Sequence, residues 1–207
     1  MMTKENQAGL TPDDILHQFM EGNKRFQTGK VTLRAFNEHI SQSSQEQFPK
    51  AVVLSCIDSR VPVEHVLDQG MGDIFVCRVA GNIVDEDQLG SIEFACKLAG
   101  AKLVLVMGHQ HCGAVKGAIE DVQIGNLGPL LAKIKPAIGM CDDFTGEKSS
   151  ANEAFVRCVT ENNVRNTINQ IRERSPILRE MEESGEIDIV GAYYCLEAGQ
   201  VYFLDRA

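Results

Sequence analysis

The chain has no tryptophan, no apolar run approaching the roughly 20 residues of a membrane span and no surplus of positive charge. The missing span excludes an integral helical membrane protein. The acidic balance, a net charge of −9 with a pI near 5.0, argues against a partner made of nucleic acid. No Gly-x-Gly-x-x-Gly follows the first apolar strand, which argues against a dinucleotide-binding domain. The start, Met1-Met2-Thr3-Lys4-Glu5-Asn6-Gln7, has neither the basic nor the apolar region of a secretory signal, so a cytoplasmic protein is expected, or a periplasmic one if a signal has been removed. Seven cysteines are an odd number without framework spacing, which favours reduced thiols over a disulfide scaffold.

What is present is ordinary for a compact domain. The chain has 207 residues, 43% of them apolar and 24% charged, enough to bury roughly 70% of the unfolded surface in one core. Thr11-Pro12-Asp13-Asp14 joins a capping residue to proline and acids in a first turn, and Ile15, Leu16, Phe19 and Met20 follow at helical spacing. Residues 1–50 are expected to form a helical arm. Residues 51–207 are expected to form an α/β domain, a mostly parallel sheet flanked by helices and closed by a hairpin. Ala51–Ser55, Ile74–Cys77 and Leu103–Met107 read as buried strands, and Asp87–Leu98 as a helix ending at Gly100. Gly125–Lys148 is the least regular stretch, and its 142–148 section reads as an exposed loop. A long helix is expected over 151–174, a short one from Ser175-Pro176 to near Gly185, and a hairpin from 187–190 and 201–204.

Polar and thiol groups cluster after two of these strands. Leu54-Ser55-Cys56-Ile57-Asp58-Ser59-Arg60 ends the first, and Gly108-His109-Gln110-His111-Cys112-Gly113 ends the third. Two thiols, an imidazole and a carboxylate form a ligand set suited to one zinc ion. Carboxyl ends of strands are also where open α/β sheets bind ligands, provided that the two strands flank the topological switch point. His109 is favoured over His111, because a separation of three from Cys112 lets both side chains converge in one turn. A helix beginning after Cys112 would stabilise its thiolate. Taken singly, Cys56 would be an ordinary core thiol and Asp58 and Arg60 a surface ion pair; the clustering is what favours a site. Cys77, Cys96, Cys141, Cys158 and Cys195 lack ligand spacing and read as buried or free thiols. His17, His39 and His65 read as surface or packing residues.

The Cys-x-Asp-x-Arg and His-x-x-Cys pair, in this order and spacing, resembles the β-class carbonic anhydrases over about Gln47–Ile119, with a weaker likeness in the closing hairpin. The resemblance implies a zinc enzyme that interconverts carbon dioxide and bicarbonate through zinc-bound hydroxide, with Cys56, His109 and Cys112 as fixed ligands. It gives Asp58 two alternatives: accepting a hydrogen bond from the hydroxide while Arg60 orients it, or binding zinc itself in a closed state. Because zinc ligation competes with the Arg60 pair and with hydroxide, a pH-dependent switch between the two is expected. The resemblance also implies a homodimer or homotetramer. By position, Gln47, Phe75, Ala80 and Phe94 match substrate-pocket residues of plant-like members, and Gly113 offers a backbone N–H. For Phe75 and Phe94, packing under the sheet is an equal expectation. Ala80 stands where valine is common, Phe94 where tyrosine is common and Ile57 where serine is common. Val53 occupies the place of the tryptophan found in bicarbonate-regulated members, so no such regulatory site is expected. A carbon disulfide or carbonyl sulfide hydrolase could use the same ligands, and a non-catalytic zinc protein is the rival outside enzymes. The intact Asp58 and Arg60 argue against the latter, since structural zinc sites are normally closed by four ligands.

Overall fold

A computed structural model describes residues 2–205. Five strands, β1 (Ala51–Ser55), β2 (Ile74–Arg78), β3 (Leu103–His109), β4 (Asp188–Cys195) and β5 (Gln200–Phe203), form one sheet in the order β2-β1-β3-β4-β5. The first four run parallel and β5 returns antiparallel to β4. The expected mostly parallel sheet is therefore present. Order reverses at β1, which sends its first connection to β2 on one side while β3 lies on the other. The β1/β3 boundary is thus the switch point.

The helices among the described residues are α1 (Lys4–Gly9), α2 (Pro12–Gln27), α3 (Phe36–Ser43), α4 (Val63–Val66), α5 (Glu86–Glu93), α6 (Gly113–Ile119), α7 (Leu127–Ala132), α8 (Lys135–Gly139), α9 (Glu153–Arg174) and α10 (Pro176–Glu183). Thr11 and Asp14 make a reciprocal capping box that starts α2 behind its Pro12. Asp85 caps α5, which runs on into a π-helical turn over Phe94–Leu98, and Gly100 leaves that turn at φ +79°.

β1 and β3 are buried along their whole length, as their unbroken apolar runs require of central parallel strands. Alternate residues feed opposite faces. Val52, Leu54, Val104 and Val106 pack with Leu89 and Ile92 of α5 and Val164, Ile168 and Ile171 of α9. Val53, Leu103, Leu105 and Met107 pack with Ile15 and Phe19 of α2 and Val63 and Val66 of α4. A third cluster surrounds Cys56 and Cys112 beyond the carboxyl ends of β1 and β3, built from α6 to α9.

Two expectations change here. The 125–148 stretch contains α7 and α8, because Leu131, Ile134 and Ala137 bury into the third cluster; only its 142–148 section remains an extended loop. Cys141 and Cys158 are not free thiols. Packing α8 beside α9 brings their Cα atoms to 6.4 Å, within bridging distance, and they form a disulfide. Seventeen residues of separation gave no hint of that.

Candidate metal centre

Cys56 follows β1, His109 is the last residue of β3, and Cys112 caps the amino end of α6. All three are buried, and their ligand atoms lie within 4.8 Å of one another, the one such cluster found among the described residues. The two sulfurs are 4.0 Å apart. Tetrahedral zinc with two thiolates needs roughly 3.8 Å.

Protonation chemistry supports the fit. His109 Nδ1 lies 2.8 Å from the Gln110 carbonyl and donates its hydrogen there, which leaves the Nε2 lone pair free. Nε2 is buried without a hydrogen-bond partner, a costly state for a polar atom unless a cation takes the lone pair. Hydrogen bonding from Cys112 draws the Cys56 thiol down to about 4, and the same bond to Cys56, together with burial, pushes the Cys112 thiol well above the ordinary range. Without metal, the pair holds one shared proton. Two thiolates at this distance require a cation between them.

Asp58 is bound to Arg60 through both carboxylate oxygens. Arg60 Nε and Nη2 donate to Oδ1 and Oδ2 at 2.9 and 2.7 Å, and the Arg60 amide adds a third bond to Oδ1. The Arg60 guanidinium is the main reason that the Asp58 carboxyl sits at about 2; burial opposes the shift and loses. Asp58 is thus a carboxylate at any neutral pH, with Oδ2 3.9 Å from His109 Nε2. His111 lies apart from the cluster, with its ring nitrogens 3.9 and 3.7 Å from Glu153 and Glu197.

The remaining sequence candidates separate into two places. Ala80 and Gly113 are chain neighbours of groups at the cluster, Gly81 and Cys112. Phe75 and Phe94 meet edge to face, ring centres 6.2 Å apart, and line a groove of about 570 Å³ along β2 with Cys77, Glu86, Asp87 and Ser91. None of the three cluster residues lines that groove within the single chain. Gln47 is exposed ahead of β1.

Two contributors went unnoticed in the sequence. Arg78 donates to the carbonyls of Cys56 and Asp58 at 3.0 and 2.6 Å, which ties the loop after β1 to the end of β2. The Gly81 amide points at Cys56 Sγ from 3.3 Å. The signal available was the run Arg78-Val79-Ala80-Gly81-Asn82, which begins on the last residue of β2 beside the loop that carries Cys56.

Fold and site together define an α/β protein whose sheet carries, at its switch point, a buried Cys-His-Cys cluster able to hold a metal ion. The sequence profile of the family described as carbonic anhydrase matches residues 51–201. The chain is 32% identical over 198 residues to carbonic anhydrase 2 of Mycobacterium tuberculosis, covering 90% of this chain and 89% of that protein. It is 34% identical to a carbonic anhydrase of Mycolicibacterium smegmatis, over 87% of each chain. Among solved structures it is similar to a tetrameric β-carbonic anhydrase of the ascomycete Sordaria macrospora. The TM-score is 0.73 with 25% identity, over 93% of this chain and 98% of that one. The β-carbonic anhydrase CcaA shares the fold, with a TM-score of 0.75 over 92% of this chain and 95% of that one, at 22% identity. The chain belongs to the β-carbonic anhydrase family of enzymes.

Proposed function

We propose that the protein is a zinc-dependent carbonic anhydrase that interconverts carbon dioxide and bicarbonate, with Cys56, His109 and Cys112 holding the ion. The observation that carries this reading is the buried three-donor cluster with an unpartnered His109 Nε2, set beside an Asp58 already committed to Arg60. Zinc held by these residues would supply Lewis acidity, making hydroxide available at about pH 7.

Each residue of the chain then has a distinct task. His109 presents Nε2 because the Gln110 carbonyl holds the other nitrogen. Asp58, kept ionised by Arg60, would accept a hydrogen bond from the nucleophile and so orient it toward the substrate carbon. The same carboxylate does not accept a proton at neutral pH, so the proton released on hydration leaves by another route. Ala80 and Gly113, chain neighbours of Gly81 and Cys112, are suited to shaping the place for a small linear substrate.

We extend the proposal to a homodimer or homotetramer. Edge strand β2 pairs with a strand on one side only, and its groove is lined by Phe75 and the half-exposed Phe94. Leu33, Ile57 and Leu98 add exposed apolar surface that a second copy would cover. Stopped-flow assay of the purified protein against carbon dioxide, carbonyl sulfide and carbon disulfide, with metal content measured on the same samples, tests the function. Turnover of carbon dioxide in zinc-loaded protein supports it; turnover of a sulfur-containing gas alone replaces it.

A further inference from the structure

The amide of Gly81 faces the Cys56 sulfur from a residue with little backbone preference of its own. Glycine adopts many φ/ψ combinations at similar cost, so the direction of its N–H depends on whatever holds its neighbours. Here φ is +71°, and Asn82 follows at φ +43°, a second left-handed residue of a type that tolerates this region better than most.

The restraint comes from α9. Thr160, Asn163 and Thr167 recur at helical spacing as buried polar residues on the stripe facing this turn and the end of β3. Asn163 Nδ2 donates to the Gly81 carbonyl at 2.7 Å, with both groups buried. The next amide, on Asn82, donates to Val79 O at 3.0 Å. The peptide between Gly81 and Asn82 is therefore gripped at its oxygen by Asn163 and at its N–H by the turn. Thr167 holds the Asn82 carbonyl more loosely, at 3.3 Å. With the following peptide plane fixed, the preceding N–H remains on Cys56 Sγ.

We propose that Asn163 is a positioning residue for the metal centre, acting through the Gly81 backbone to keep an N–H···S bond on the Cys56 thiolate. That bond draws charge from the sulfur, which stabilises the thiolate and leaves more positive character on any metal it binds. Asn163 lies 54 positions beyond His109, in a helix that supplies none of the three donors. The inference rests on the reading of Cys56 as a metal ligand, but not on which gas the enzyme hydrates.

The test uses Asn163→Ala and Asn163→Ser in the full chain, with Thr167→Val as the matched control. The control also removes a buried hydrogen bond from α9 to the same turn, but it leaves the Gly81 carbonyl held. Two readouts are independent of turnover: the rate of zinc loss to a chromogenic chelator, and the thiolate-to-cobalt charge-transfer band of the cobalt-substituted protein. Both Asn163 variants are expected to lose zinc up to about tenfold faster, the low end for support groups around a metal, and to shift the charge-transfer band to lower energy. Thr167→Val is expected to change thermal stability without moving the band. Equal effects from the control and the Asn163 variants, or an unmoved band in the latter, overturn the proposal. So does failure of both Asn163 variants to fold with zinc present, since Asn163 is then a residue of the fold alone. Wild-type protein that takes up neither metal removes the ligand reading as well. A wild type that binds both metals but leaves carbon dioxide unhydrated overturns the proposed function and leaves this test standing.

Discussion

Asp68 is the most consequential charge outside the metal centre, and removing it should make stability at neutral pH resemble stability in acid. Its side chain is only 1% exposed, at the end of α4, and joins three segments. Arg25 of α2 reaches it at 2.6 Å, Arg34 at 2.7 Å, and the Thr32 hydroxyl at 2.8 Å. Burial pushes the carboxyl up, but the bonds from Arg25, Arg34 and Thr32 outweigh it and hold the group at about 2 against an unperturbed 3.8. A depressed carboxylate stabilises the fold above its unfolded pKa, and that stabilisation drains away as pH falls from about 4 through 2. The shift corresponds to about 2 kcal/mol. Asp68→Asn keeps the shape and tolerates the local φ of +48° while removing the charge. At neutral pH it should cost about 2–4 kcal/mol, the upper part arising from Arg34, which is left largely buried without its counter-ion. Urea unfolding of both proteins at matched concentration, from neutral pH down to about 2.5, measures the difference. Each pH compares the two chains directly, so metal loss in acid, common to both, cancels. The gap should close below about pH 4. Equal stability at neutral pH, or a gap that persists undiminished at the acid end, refutes the reasoning.

Three other substitutions probe the site and the assembly. Asp58→Asn should retain zinc and fold but lose about a hundredfold or more in kcat, read by stopped flow beside metal analysis; unchanged kcat would remove Asp58 from the mechanism. Gly81→Ala places a Cβ 2.6 Å from Ile134 Cδ1 and 3.2 Å from the Ala114 Cβ, at a left-handed φ. Ile134 can yield but Ala114 cannot, so a loss of about 1–3 kcal/mol is expected in thermal unfolding, with faster zinc release. Phe94→Glu puts a third acid beside Glu86 and Asp87 in the β2 groove and should lower the mass measured by analytical ultracentrifugation, whereas an unchanged mass would move the interface elsewhere.

The parts legible in the sequence are those fixed by local chemistry. Val52-Val53-Leu54 and Leu103-Val104-Leu105-Val106 read as central strands because only a strand buried on both faces tolerates such runs. Thr11 and Asp14 announce α2 by their reciprocal caps. Cys56, His109 and Cys112 stand out because soft donors gather directly after strands, and the strand order then brings them together. Tertiary packing decides the rest. Cys141 meets Cys158 only because α8 lies along α9, and Leu131 and Ala137 become helical through the third cluster that they fill. Asn163 carries no spacing signal, since its partner is a backbone carbonyl 82 residues away. Phe75 and Phe94 line an edge groove of the single chain, a placement that residue type alone does not encode.

The central claim is that a single ion held by Cys56, His109 and Cys112 makes the chain a carbon dioxide hydratase. Metal-free protein titrated with zinc, with hydration followed by stopped flow at about pH 7–9, tests it most directly. The account predicts activity rising in proportion to bound zinc, reaching its plateau at one ion for each chain, and absent from His109→Ala at every zinc concentration. Zinc-loaded protein with no hydration activity, or activity that ignores zinc occupancy, would contradict it.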